Sequence, residues 1–225
     1  MTSGKHRQGY IPQERFSKPV VAVKSTKKRS VKAWLEEYWP VSTPFLAVYI
    51  TVVLVLFVFK ENFALFLIWL QTPVYWVHQF EEYICPGGFV EFFNRKVLGS
   101  KREDWPLTKT HALWINVPII FVAFPLSAIL AGLVDISLGI WTAYFSILNA
   151  LSHMGMFFRH GYNPGLVASA LLNIPVGVYT VYYFATSHPL SLGAHIAGFL
   201  VALAIQGALM VWGLKFMRGK AGQPS

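Results

Sequence analysis

Residues 62–84 read NFALFLIWLQTPVYWVHQFEEYI. This stretch is long enough to cross the ~30 Å hydrocarbon core of a bilayer as one helix, yet it ends in a histidine and two carboxylates. Pro86-Gly87-Gly88 then stops the helix. A transmembrane helix that carries ionisable groups near one end is therefore the first expectation.

Five further apolar stretches accompany it, at about 41–59, 110–133, 136–158, 166–186 and 189–217. The connections at 60–61, 134–135 and 187–188 are so short that the helices they join must be antiparallel neighbours. The expected fold is all-α: a polytopic membrane bundle of about six transmembrane helices over 34–217, with a basic tail at 1–33 and a short tail at 218–225. Composition agrees, with 55% hydrophobic and only 13% charged residues among 225, against roughly 25% charged in soluble domains. Cys85 is the only cysteine, which excludes an internal disulfide framework, and there is no Cys/His spacing of zinc-finger type.

The net charge of +9 is explained by placement. Residues 1–40 hold nine Lys/Arg and three Glu, and if this end is cytoplasmic, 18 of the 19 cationic residues fall on that side, with Lys60 alone outside. Both termini are thus expected in the cytoplasm, and a bacterial protein of this kind would be a multi-pass plasma-membrane protein. The segment before Lys32 is apolar-poor and interrupted by Pro12 and Pro19, so it is read as a flexible tail. Its run Lys24, Lys27, Lys28, Arg29 and Lys32 suits anionic headgroups; a mitochondrial presequence is the lesser alternative, because those favour Arg over Lys. Nucleic acid is not expected as a partner, since the tail offers no folded basic face. Trp34, Tyr38 and Trp39 mark an interfacial belt, and Phe89, Val90, Phe92, Phe93 and Val97 predict a short helix on the inner interface.

His78, Glu81 and Glu82 share a helical face because they stand at i, i+3 and i+4. Tyr75 and Gln71 extend that face backwards, and the Tyr75 ring is placed to wall a substrate cavity. A second stripe, Thr142, Ser146, Asn149, His153 and His160, runs along the 136–158 span. At ~1.5 Å per residue, His78 and His153 lie about 24 and 25 Å from the outer ends of their spans, so they share a level. His111 either completes the site or sits among headgroups beside Trp114. His160 lies in the loop after its helix and is either solvated or functional. His195 is about 15 Å above His78 and joins only if the segment 187–193 bends inward.

Two imidazoles with carboxylate oxygen suit Zn(II), and less well Fe(II). The expected ligands are His78, Glu82 and His153, with Glu81 accepting a proton from water and Asn149 binding substrate oxygen or orienting His153. The spacing is close to the inverted zincin pattern H-x-x-E-H, but the fifth position here is Glu82. His78-Gln79-Phe80-Glu81-Glu82-Tyr83, Pro86-Gly87-Gly88-Phe89, Phe93-Asn94-Arg95, Asn149-x-x-x-His153, Gly155, Arg159, Tyr162-Asn163-Pro164-Gly165 and Asn173 together resemble the HXXEE-domain family of small integral membrane proteins. That resemblance implies a metal-dependent membrane enzyme without naming its reaction. Hydrolysis of a lipid or other lipophilic small molecule at the cytoplasmic side is the leading expectation. Its alternatives are a non-haem iron oxygenase, a metal-free acid/base isomerase or cyclase with Tyr75 stabilising a cation, and a carrier or transporter.

Overall fold

The computed structural model describes Met1 and residues 30–221. The run Lys24, Lys27, Lys28 and Arg29, most of the expected N-terminal tail, and the end of the C-terminal tail at 222–225 lie outside the described residues. Among the described residues the chain is helical throughout, without a strand. Helix α1 is Val31–Phe57 and α2 is Phe63–Tyr83. The short α3, Phe89–Phe92, continues as a wider turn over Phe93–Val97. Then come α4, Lys109–Leu133; α5, Ile140–His160; α6, Leu166–Thr186; and α7, Leu192–Ala221.

Helix α1 starts inside the segment assigned to the tail, well before the expected span at 41. Ser30 caps it, its Oγ accepting from Ala33 N at 3.2 Å, so the interfacial turn around Trp34 is helical too. At the other end of the α1–α2 turn, Asn62 Oδ1 accepts from Leu65 N at 2.9 Å and starts α2. Gly87 and Gly88, at φ 74° and 89°, end α2 in a left-handed turn.

Six spans were expected, but four helices are long and apolar enough to cross a membrane: α1, α4, α6 and α7. The other two, α2 and α5, have 21 residues each and fall short because of their polar stripes. Of the two, α2 is the more deeply buried. Fourteen of the 21 residues of α2 are buried, among them Gln71, Thr72, His78, Gln79, Glu81 and Glu82. Outward faces of the other helices are strongly apolar: Phe45, Leu56 and Phe57 on α1 are 73%, 68% and 70% exposed. An exposed apolar surface of that extent suggests contact with lipid.

Two of the apolar clusters lie in the middle of the bundle. Tyr75, Trp76, Ile120, Phe124, Phe145 and Ala202 join α2, α4, α5 and α7 near the level of the site. Farther along, Ala64, Ala128, Ala131 and Ala143 pack with Ile68 and Phe184, small residues that let helix backbones approach closely. Below the site, the loop after α2 folds onto buried Asn94. Its Nδ2 donates to the carbonyls of Glu103 and Leu107 at 2.7 and 2.8 Å, and its Oδ1 accepts from Leu107 N at 2.9 Å. The Phe89–Val97 helix is thereby clamped over α4 and α7, with Leu98, Leu107 and Met217 buried beneath it. It covers a cavity as well as facing outward.

Candidate metal centre

The level deduced for the two histidines brings them together. His78 Nε2 and His153 Nε2 stand 3.5 and 3.3 Å from the same oxygen, Glu82 Oε1. His78, Glu82 and His153 each offer a ligand atom, all within 4.8 Å of one another, and all three residues are buried. The i, i+4 spacing on α2 places His78 over Glu82, and α5 supplies His153 from across the bundle.

Neighbouring groups orient each ligand. Asn163 Nδ2 donates to the His153 carbonyl at 3.0 Å. A carbonyl only accepts, so the amide must turn its Oδ1 toward His153 Nδ1, 2.7 Å away. Nδ1 therefore carries a proton, and Nε2 faces the cluster. Ser169 Oγ lies 3.3 Å from His78 Nδ1, while Gln79 Nε2 donates to Glu82 Oε2 at 2.8 Å and leaves Oε1 facing the imidazoles. His78 Nε2 is buried and has no hydrogen-bond partner.

Gly165 closes the cluster from the α6 side. Its φ of 97° lies in the region that favours glycine. A methyl group there would stand 2.7 Å from His153 Cε1, 2.9 Å from Glu82 Cγ and 3.0 Å from His78 Cε1. The backbone thus touches all three ligand residues at once.

Glu81 is turned elsewhere. Its Oε1 accepts from Val167 N and Tyr162 Oη, both at 3.0 Å, and its Oε2 from Ala168 N at 2.6 Å. These backbone donors belong to the first turn of α6, where N–H groups lack helical partners and attract a carboxylate. Partial burial, then the hydrogen bond and charge of Glu81, push the Tyr162 phenol up to about 12. The carboxylate expected as a base is thus spent on anchoring a helix, and Glu82 alone faces the histidines.

Of the remaining candidates, Tyr75 is buried with its ring centroid 5.0 Å from that of His78. Asn149 has a buried, unpartnered Oδ1 and lines the cavity beside His153; the residue that orients His153 is Asn163, not Asn149. His160 lines the same cavity and packs on Phe92. His111 stays outside the group: it closes a capping box with Thr108 and its ring meets Trp212. His195 also stays outside, its ring engaged by groups away from the cluster. Its Nδ1 lies 2.8 Å from Tyr144 Oη and its Nε2 3.2 Å from the Phe184 carbonyl. Asn163, Ser169 and Gly165 were not assigned to the site from sequence, although Asn163 and Gly165 lie in the quoted Tyr162-Asn163-Pro164-Gly165 run.

A cavity of about 450 Å³ opens beside the cluster. Tyr75, Phe145 and Asn149 form its inner end, Glu82 and His153 its reactive flank, and Phe89, Phe93 and Trp212 part of its wall. Gln206 on α7 reaches across to α5, donating to Ser152 Oγ at 2.9 Å.

An all-helical bundle with membrane-type outer helices and an internal His/Glu group defines the class. Residues 69–180 match the model of a family described as a protein of unknown function with HXXEE motif, and the chain is a member of that family over this stretch, His78–Glu82 being its motif. No curated protein and no solved structure matches the chain.

Proposed function

We propose that the protein is a membrane metalloenzyme in which His78, Glu82 and His153 hold a divalent ion, zinc before iron, and that it hydrolyses a lipophilic substrate taken from the bilayer. One observation carries the reading: the two Nε2 atoms stand 3.3 and 3.5 Å from a single carboxylate oxygen. With the His153 Nδ1 proton directed at Asn163, its Nε2 faces an oxyanion, and that contact calls for positive charge between them, a metal ion or a second ring proton. Ligands ~2.0–2.1 Å from a tetrahedral ion stand about 3.3–3.4 Å apart, close to both distances. Octahedral geometry at the same bond length would bring neighbouring ligands to about 2.8–3.0 Å, which puts iron second.

When bound, zinc supplies Lewis acidity and makes water a nucleophile near neutral pH. The chain's own residues do the rest. Asn163 and Ser169 fix the imidazoles, and Gln79 holds the outer carboxylate oxygen. Asn149, unpartnered beside His153, takes the polar group of the substrate, and Tyr75 walls the inner end. Glu81 anchors α6 instead of moving the proton. The reading places α2 and α5 among the four apolar helices, with both termini cytoplasmic on the distribution of Lys and Arg.

A metal-free acid/base catalyst would use the same trio as a proton-sharing set. Charge-assisted hydrogen bonds of that kind are ~2.7–2.9 Å long, so the longer contacts favour an ion. The test is elemental analysis of detergent-purified full-length protein. About one zinc per chain is expected, and its loss in His78→Ala and His153→Ala; wild-type protein without stoichiometric metal overturns the proposal, and one iron in place of zinc turns it to oxygenase chemistry.

A further inference from the structure

We infer that the cavity binds a single-chain amphiphile with an anionic head group, carboxylate or phosphate, the head meeting Arg159 and Arg218 and the chain lying along the apolar wall past His153. The inference names a substrate class for the proposed site and rests on that reading.

The cavity is polarised along its length. Helix α5 contributes both Asn149 and His153 toward the inner end and Arg159 and His160 at the mouth. Six residues separate His153 from Arg159, an axial distance of about 9 Å. Helix α7 lines the same space from Gln206 to Arg218, so both arginines lie at one end. Between the two ends the lining is apolar: Phe93, Ile115, Met156, Leu209 and Trp212. Glu82 is the only carboxylate lining the cavity among the described residues, and it belongs to the cluster.

The arginines at the mouth differ from their neighbours in partners. Arg95 is paired with Glu103 at 2.7 Å and Arg102 with Asp104 at 3.0 Å. Arg159 and Arg218 have no carboxylate partner among the described residues. Arg218 Nη2 donates to the Val97 carbonyl at 3.4 Å, which locates the side chain without neutralising it. Two uncompensated guanidiniums at the mouth of an apolar cavity are complementary to a carboxylate or phosphate, which they bind through charge-assisted, often bidentate hydrogen bonds. The volume of about 450 Å³ lies toward the lower end of the ~300–1,000 Å³ of small-molecule pockets, which suits one chain better than two.

The test uses metal-free full-length protein in nanodiscs of zwitterionic lipid, titrated calorimetrically with dodecyl phosphate, dodecanoate and dodecanol, with empty nanodiscs subtracted. Both anions are expected to bind at least about tenfold more tightly than the alcohol. Arg159→Gln with Arg218→Gln should abolish that preference, and each single substitution should reduce it to about threefold. Equal affinity for dodecanol, or a preference that survives the double and single substitutions, overturns the inference. So does inorganic phosphate that competes as well as dodecyl phosphate, since the chain would then be irrelevant. A preference that vanishes when a tenth of the lipid is anionic phospholipid assigns the arginines to bulk headgroups and also overturns it. Because the titration needs no metal, its failure leaves the zinc count untouched, and a missing zinc leaves the head-group preference readable.

Discussion

Asn163 grips His153 twice, accepting from its Nδ1 at 2.7 Å and donating to its backbone carbonyl at 3.0 Å. The second bond determines the direction of the first. Removing the pair frees both the tautomer and the ring orientation of a ligand, a change that weakens metal sites by ~10–100-fold elsewhere. Asn163→Ala should therefore lower zinc affinity by about that factor, measured by competition with a chromophoric chelator. Unchanged affinity would remove Asn163 from the site.

Gly165→Ala combines a positive φ with contact to three ligand residues. Backbone strain of this kind costs about 1–3 kcal/mol, and the added methyl must also push His153, Glu82 and His78 apart. The variant should melt at lower temperature in detergent and bind zinc more weakly. Gly161→Ala is the control: it has a φ of 76° but no atom near the added carbon, so it should lose stability and keep its zinc.

The adjacent glutamates should separate cleanly. Glu82→Gln should lose zinc. Glu81→Gln should keep about one zinc per chain and lose stability, because hydrogen bonds to a charged group contribute about 1.5–3 kcal/mol each. Zinc content and thermal melting measured side by side on both variants decide the assignment.

His111→Phe and His195→Phe should each retain zinc. Losing the His195 contacts with Tyr144 and Phe184 should cost about 1 kcal/mol, read as a lower melting temperature. Loss of metal in either variant would mean that the ligand set is larger than three.

Tyr162 sets a limit at high pH. Its phenol is held at about 12 in the folded protein, against ~10 for an unperturbed tyrosine. The folded state thus holds the proton more tightly, and the stability from the Tyr162–Glu81 bond is complete below ~10 and lost as pH rises toward about 12. Tyr162→Phe should flatten that part of the stability–pH profile, measured by thermal melting between pH 8 and pH 12.

The shared depth of His78 and His153 was legible because helical rise alone fixes it, and the same arithmetic correctly left His195 too high. The ends of α6 were legible from its punctuation: a loop with Pro164-Gly165 precedes it and Ser187-His188-Pro189 follows. Glu82 was legible as the third member of the cluster, but the turning away of Glu81 was not, since i+3 and i+4 lie on nearly the same face and its direction depends on where the α6 N–H groups arrive. Asn163 was beyond reach because its role depends on a loop returning to the carbonyl of a helix residue ten positions earlier. Counting six equivalent spans overlooked a division of labour: the polarity that makes α2 and α5 chemically useful is what removes them from the apolar class.

That division bears on how the chain enters a membrane. A helix bearing His78, Glu81 and Glu82 gains little from partitioning alone, since each carboxylate costs several times what a leucine returns. Only residues 58–62 separate it from the apolar Val31–Phe57 helix, and only 134–139 separate Ile140–His160 from Lys109–Leu133. The unit of insertion is then a hairpin, the greasy arm carrying the polar one, and two such hairpins must meet before the histidines do. A chain arrested after the first hairpin would hold His78 and Glu82 without His153, so loading of the proposed metal would be a late event in biogenesis and a marker that the second hairpin has docked.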